Sequence, residues 1–358
     1  MNIQDNQIAK RLTNYSTIST ELALLSDHRL LALLESATTS DTSTGCTTVS
    51  LEIAGTPIFV KKIRLTDTER QSKNIRSTAN LYGLPSYCQY GMPGSIGSPG
   101  FGVWRELAAN IMTTNWVLSG ECHNFPLLYH WRTLPKPTPN PPTAEQLNEL
   151  ERNTEYWEGS SAVRTRLFEN LTASADILLF LEQFPSNVHE WLRKQMAIGG
   201  KAAESACAMV EKNLRETTSF INSRGLLHFD AHFWNVLTDG HSLYFADFGL
   251  ATSNRFELSE AELDFLKSHH NYDKCYTAAH LVKWILMELF GIENYSSTLD
   301  DYACGKGKPL APTIETIVMR YLPIAVVMHE FFQKLKESTT TPYPTAELER
   351  VCANIKNF

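Results

Sequence analysis

Between residues 228 and 251 the chain reads HFDAHFWNVLTDGHSLYFADFGLA. Two short apolar runs flank Thr238-Asp239-Gly240-His241. Asp-Gly between apolar runs is turn chemistry, and it predicts a hairpin with strands at 235–237 and 243–246. With Val236 opposite Phe245, the open end of that hairpin carries Asn235 and Asp247 side by side. Asp230 lies in the loop that feeds the same end. An amide oxygen beside a carboxylate is a hard oxygen pair of the kind Mg2+ takes, its shell completed by water and phosphate. Asp230 is then left to orient an acceptor hydroxyl and take its proton in phosphoryl transfer. His228, between apolar neighbours, is expected to hold the loop from a buried position.

A nucleotide also needs positive charge at its phosphates. The segment TPIFVKKIRL reads as a strand paired with TTVSLEI through an Ala54-Gly55 turn. It offers Lys61 and Lys62, which point to opposite faces of a sheet, so only one can meet the phosphates. Glu106, on a helix expected over 103–118, is available to hold that lysine.

The remaining pattern is helical at both ends. Residues 1–38 read mainly as helix and 36–46 as a loop. Residues 66–101 show little periodicity, and 91–102 are rich in glycine. A strand is expected near 124–134, an extended connector over 135–143 and a helix from 144. Residues 177–181 read as a buried strand, followed by a helix over 188–196 capped by Asn187. Further helices are expected over 202–222, 278–290, 313–320, 324–336 and 345–358. Tyr272-Asp273 is expected to anchor a helix start. His269 and His270, near His280, are read as polar loop residues, because no cysteine or acid completes a compact metal set nearby. Most tryptophans are expected in cores. Trp234, next to Asn235, is expected to shape the acceptor side.

Composition excludes several classes. At 43% apolar and 20% charged residues, the 358-residue chain can bury a sizeable core. Its formal net charge of −7 comes with no basic block, which argues against a nucleic-acid partner. No apolar run reaches membrane-spanning length, so no membrane partner is expected. The opening MNIQDNQIAKRLTNYS is polar, and no secretory leader is expected. Seven scattered cysteines suit a reducing compartment, so the expected location is cytoplasmic.

On these residues the chain resembles the protein-kinase-like fold. The nearest branch is that of the aminoglycoside phosphotransferases, choline kinases and fructosamine kinases, or an atypical bacterial-type protein kinase. His228-Phe-Asp230-Ala-His232-Phe-Trp-Asn235 is similar to the family's His-x-Asp-x-His-x-x-Asn catalytic loop, and Asp247-Phe248-Gly249 to its metal-binding motif. The resemblance implies an α+β, bilobal fold: a small β-rich N-terminal lobe with one key helix and a larger, mainly helical C-terminal lobe. The lobes would be 1–184, with a helical extension and insertions at 66–102 and 135–170, and 185–358. It implies an ATP-dependent phosphotransferase acting on a hydroxyl of a small molecule or protein, with ATP and Mg2+ as cofactors. Asp230 takes the role of base, with His228 in the catalytic set, and Asn235 and Asp247 hold the metal. Lys61 resembles the phosphate-contacting lysine, with Lys62 as its rival, and Glu106 the glutamate paired with it. Glu182 and Phe184 bound a segment similar to the adenine-binding hinge, and Asp273 stands where an aspartate braces the catalytic loop.

The departures are specific. Phe229 replaces the arginine of regulated protein kinases, and no Ala-Pro-Glu closes the segment after Asp247. No G-x-G-x-x-G precedes the lysine strand; TSDTSTGC stands there, and the glycine-rich 91–102 follows the strand instead. Two alternatives stay open: a catalytically weak nucleotide-binding pseudokinase or interaction module, and a nucleotidylyltransferase with the nucleotide reversed.

Overall fold

A computed structural model of the chain describes residues 3–41, 47–90, 96–136 and 141–355. Among these the chain is mixed α+β, with a small antiparallel sheet and a mainly helical part. Its contacts divide it into two compact units. The first comprises Met1–Gln183 with Phe248–Leu250 and Phe256–Ser259; the second comprises Phe184–Asp247, Ala251–Arg255 and Glu260–Phe358.

The first unit opens with two helices, α1 (Ile3–Leu24) and α2 (Asp27–Glu35). The break between them is set by Ser26, whose hydroxyl accepts the Arg29 N–H as an N-cap. A five-stranded sheet follows in the order β1 (Thr38–Asp41), β2 (Thr47–Ile53), β3 (Thr56–Leu65), β5 (Ala175–Glu182), β4 (Leu128–Pro135). Residues 38–41, read from sequence as loop, pair with β2 as its edge strand. The rest of that hydroxyl-rich stretch, 42–46, lies outside the described residues. The β2–β3 hairpin closes through Ala54 and Gly55, both at positive φ (50° and 74°). Two consecutive left-handed residues make the turn whose twist matches paired strands.

Four more helices belong to this unit: the short α3 (Asp67–Arg70), α4 (Val103–Leu118), which packs on the sheet, and α5 (Ala144–Tyr156) and α6 (Ser161–Thr172), which pack on each other. The described residues of the segment read as aperiodic, 66–90 and 96–101, are irregular apart from α3 and a 3-10 turn at Ser86–Gln89. They are not loosely held. Leu84, Cys88 and Phe101 bury against Trp157 of the α5–α6 connection and Val163 of α6. Gln89 donates its amide to the carbonyl of Leu250. Of the glycine-rich stretch 91–102, residues 91–95 lie outside the described residues, as do 137–140 of the proline connector.

The second unit is built on three long helices that pack on one another: α8 (Gly200–Ser223), α10 (Tyr272–Phe290) and α12 (Pro312–Glu337). Its strands are short: β6 (Ser186–Asn187), β7 (Leu226–Leu227), β8 (Val236–Thr238), β9 (Leu243–Phe245) and β10 (Thr252–Ser253). Its other helices are α7 (Val188–Ile198), α9 (Glu260–Ser268), α11 (Tyr295–Ala303) and α13 (Thr345–Cys352). The two helices expected over 313–336 are one, with Pro323 inside it. Val318, Leu322, Ile324, Ala325 and Met328 bury on both sides of the proline. That burial, at about 1.5–3 kcal/mol for each large side chain, offsets a proline cost of about 3 kcal/mol. The terminal helix is shorter than expected and ends at Cys352. Among the described residues no helix is long and apolar enough to cross a membrane.

One buried ion pair ties the N-terminal helix to the sheet. Arg11 of α1 donates through Nε and Nη2 to both oxygens of Glu182, each at 2.8 Å, and to the carbonyls of His123 and Phe125. Arg11→Ala would strand the Glu182 carboxylate and two carbonyls away from water. The expected loss is about 3–5 kcal/mol, read as a lower urea midpoint with an unchanged m-value.

Candidate active site

In the first unit the polar pair lies on β3 and α4. The period of two puts Phe59, Lys61, Ile63 and Leu65 on one face of β3. That face is covered by Val103, Trp104 and Leu107 of α4. Glu106, one helical turn from Val103, therefore meets Lys61: Nζ donates to Oε1 at 2.7 Å, and both side chains are buried. Lys62 takes the opposite face. There its charge acts on Asp176, whose carboxyl is pushed up by burial and drawn back by Lys136 and Lys62.

The start of α4 is fixed by a residue far away in the sequence. Glu69, with no exposure, accepts the Val103 N–H through Oε1 at 2.9 Å. Its Oε2 accepts the N–H and hydroxyl of Thr66. Arg166 of α6 places Nη1 3.0 Å from the same oxygen. Gly102, at φ 128°, admits this approach, since a Cβ there would sit 3.0 Å from Glu69 Oε1. Glu182 turns its carboxylate to Arg11 and to the Leu127 N–H, and its own N–H donates to the Leu127 carbonyl.

In the second unit β7 pairs with β10, and the loop 228–235 runs from β7 into the β8–β9 hairpin. Val236 pairs with Phe245, and Ala246 N–H donates to the Asn235 carbonyl at 2.9 Å. The turn is a four-residue loop. Asp239 Oδ1 accepts the N–H of His241 and Ser242, which fixes its shape.

Asp273, in the first turn of α10, accepts the His228 N–H at 2.7 Å and the Phe229 N–H at 2.9 Å. Burial pushes its carboxyl up to about 6, against the two backbone donors. Phe229 itself sits at φ 63°, with its ring packed on Tyr272 and Phe265. His228 is fully buried. Its Nδ1 accepts the Asp230 N–H at 3.3 Å, so Nε2 carries the proton and donates to the Ala246 carbonyl at 2.9 Å. Both ring nitrogens are thus engaged within the protein. The sequence reading places this buried histidine in the catalytic set.

Asn235 donates its amide to the Asp230 carbonyl at 3.0 Å and to Asp230 Oδ2 at 3.1 Å. This spends the nitrogen and keeps Oδ1 as the acceptor. His232 Nε2 lies 3.6 Å from Asp230 Oδ1. Asp247 follows at φ 60° and is exposed. Phe248, the next residue, buries in the first unit beside Phe125. Phe184 stacks on Tyr244 at 3.9 Å between ring centroids. Trp234 is 54% exposed yet fixed in place, its ring stacked on His189 at 4.2 Å. Trp284 Nε1–H holds His189 Nδ1 in turn.

Among the described residues no three His, Cys, Asp or Glu side chains converge as a metal-binding group. Asn235 and Asp247 offer one amide oxygen and one carboxylate, hard donors that fit a Mg2+ ion carrying phosphate and water. His269, read from sequence as a polar loop residue, is buried, its ring stacked on Phe265 at 3.8 Å; His280, half-buried on α10, accepts the Phe233 N–H through Nε2. Sequence reasoning missed Arg11 and Glu69. Thr66-Asp-Thr-Glu69 is a capping-box pattern that marks a helix start, whereas nothing local to Arg11 signals its partner.

No protein-family model matches the chain, and no curated protein matches it at a significant level.

Eight of the eleven histidines are held below their ordinary value, each chiefly by burial. For His228 and His269 the fall is from 6.5 to about 4. The unfolded chain takes up these protons as pH drops through about 6.5, and the folded chain only lower, so acidification removes stability. Asp273 works oppositely: its folded carboxyl, near 6, protonates before the unfolded one near 3.8. The histidines outnumber it, so stability falls between pH 7 and pH 5. His228 alone contributes at most about 2 kcal/mol of this fall. Urea unfolding at the two pH values measures it, and His228→Gln should show a shallower dependence.

Proposed function

We propose that the chain is an ATP-dependent phosphotransferase of bilobal protein-kinase-like fold, related to the aminoglycoside phosphotransferase, choline kinase and fructosamine kinase branch. The observation that carries this reading is the arrangement around Asp230. Asn235 donates its amide to the carbonyl and carboxylate of Asp230, at the open end of a hairpin whose other strand leads into Asp247. A base, a neutral oxygen donor and an anionic oxygen donor are what phosphoryl transfer asks of a protein that does little covalent chemistry itself. The buried Lys61–Glu106 pair adds support, since a lysine fixed by a carboxylate presents a positive charge without reorganising.

In this reading Asp230 orients the acceptor hydroxyl and takes its proton late in transfer, while Asn235 and Asp247 hold Mg2+. Lys61 offsets charge on the phosphates and Glu106 keeps it in place. When bound, Mg2+ neutralises the phosphate oxygens as charge develops on them. His228 and Asp273 shape the loop and touch no substrate. The Glu182–Phe184 segment supplies backbone groups to adenine. Trp234 gives the acceptor a rigid, flat apolar wall beside Asn235. The acceptor itself is a hydroxyl on a small molecule or a protein.

Asp230→Ala is expected to lower phosphate release and transfer from ATP by about 10²–10⁴-fold while nucleotide affinity stays within a few-fold. Lys61→Met should weaken both. Parallel assays with α- and γ-labelled ATP, following label on water, on the chain itself and on extract components, decide the reaction. Label from the γ position marks phosphotransfer, and label from the α position marks nucleotidyl transfer. Tight nucleotide binding with neither label moving means a binding module.

A further inference from the structure

Two cysteines of the second unit, 77 positions apart in sequence, meet outside the site described above. Cys275 Sγ, in the first turns of α10, lies 3.7 Å from Cys352 Sγ at the end of α13. Cys275 is buried and Cys352 half-buried. The two helices are already joined by polar contacts around this point. Tyr343, just before α13, donates its hydroxyl to Asn271 Oδ1 at 3.1 Å, and its ring stacks on His269 at 4.6 Å. Thr345 donates its hydroxyl to the Ser268 carbonyl at 2.7 Å. Cys275 is two residues beyond Asp273, the carboxylate that holds the His228 and Phe229 amides.

We propose that Cys275 and Cys352 form a reversible disulfide, made by exchange with a small-molecule disulfide such as glutathione disulfide, which ties α13 to the helix that carries Asp273. A disulfide needs its sulfurs about 2.05 Å apart, so the two must close by less than the width of an atom. The order of events follows from exposure. Cys352, the more accessible thiol, loses its proton and attacks one sulfur of glutathione disulfide; that S–S bond breaks and one glutathione leaves as its thiolate. Cys275 then loses its proton and attacks the Cys352 sulfur of the mixed disulfide, expelling the second glutathione. Two protein thiols are oxidised to one disulfide, and one glutathione disulfide is reduced to two thiols. The hydrogen bond between the pair lowers the Cys352 thiol below its ordinary value, with burial opposing, and raises Cys275. This favours Cys352 as the attacking sulfur.

The bond closes the covalent loop around α10, α11 and α12 and removes the freedom of α13 to lift from the joint between α9 and α10. That joint backs the catalytic loop: Phe229 packs on Phe265, His269 and Tyr272. The oxidised chain therefore holds the Asp273 brace more tightly than the reduced chain.

The test uses the full chain equilibrated with glutathione disulfide, quenched in acid, alkylated and mapped by peptide mass. A peptide joining Cys275 to Cys352, short of two hydrogen atoms and released by dithiothreitol, is the expected result. It should be absent from Cys352→Ser and from Cys275→Ala; Cys352→Ser, at the half-buried position, keeps the comparison should the buried variant misfold. The oxidised wild type should melt several degrees higher than the reduced form, and its His228 and Phe229 amides should exchange more slowly. A lasting glutathione adduct on Cys352, or both thiols alkylated while the exposed Cys304 is modified, would overturn the proposal. A joined peptide without slower exchange at residues 228 and 229 overturns its link to the catalytic loop. Mass and exchange report on the cross-link alone, so this result stands or falls apart from the phosphotransferase reading.

Discussion

Asp273 accepts two backbone N–H groups, at 2.7 and 2.9 Å, from a place that water does not reach. The loop it holds bends back through Phe229 in a left-handed conformation, which costs a side-chain-bearing residue about 1–2 kcal/mol. Each N–H left unmatched there would cost about 1–3 kcal/mol more. The loop keeps its shape because one carboxylate meets both donors at once. Two forces contend at that carboxylate. The His228 and Phe229 N–H groups favour its charge, and burial opposes it; burial is the larger, and the carboxyl rises to about 6. On the far side of the loop the His228 ring joins the Asp230 N–H to the Ala246 carbonyl. Asp230 and Asn235 follow in the same loop, joined by the Asn235 amide.

The first unit solves a different problem, that of placing charge inside an apolar layer. Lys61–Glu106, Arg11–Glu182 and Arg166–Glu69 are all buried or nearly so. Desolvation consumes much of the Coulomb gain in such pairs, so their net addition to stability is small, while the loss of one partner is severe. Their effect is to specify arrangement. Glu69 fixes where α4 begins, and one turn later Glu106 fixes which lysine of β3 is held. Arg11 does the same for the end of β5, where the chain passes toward Phe184.

Much of this was legible locally. Ala54-Gly55 marked the β2–β3 turn because consecutive small or glycine residues tolerate positive φ. Asn187 marked the start of α7, and its side chain does accept the Glu190 N–H. The pairing of Val236 with Phe245 followed from the position of Asp239-Gly240 between apolar runs. Other features misled for physical reasons. Pro323 reads as a helix end because it removes a donor, yet burial on both sides carries α12 through it. The polar stretch from Thr38 has the composition of a loop, yet Thr38–Asp41 finds an edge to pair with on β2. His269 has polar neighbours in sequence and aromatic neighbours in space.

The sequence by itself determined the hairpin, its register and the fact that Lys61 and Lys62 face apart. These rest on turn chemistry and on a strand period of two, which act over a few residues. It also set Asp230, Asn235 and Asp247 near one end of that hairpin, since all three lie within the span of one loop and two short strands. Only the tertiary structure decided which lysine α4 covers and that Glu182 turns to Arg11. It alone brought Asp273 to the amides of His228 and Phe229, and Cys275 to Cys352. Those partners lie between 44 and 171 positions apart. Over such distances no local periodicity links two residues, and burial in a shared core selects them.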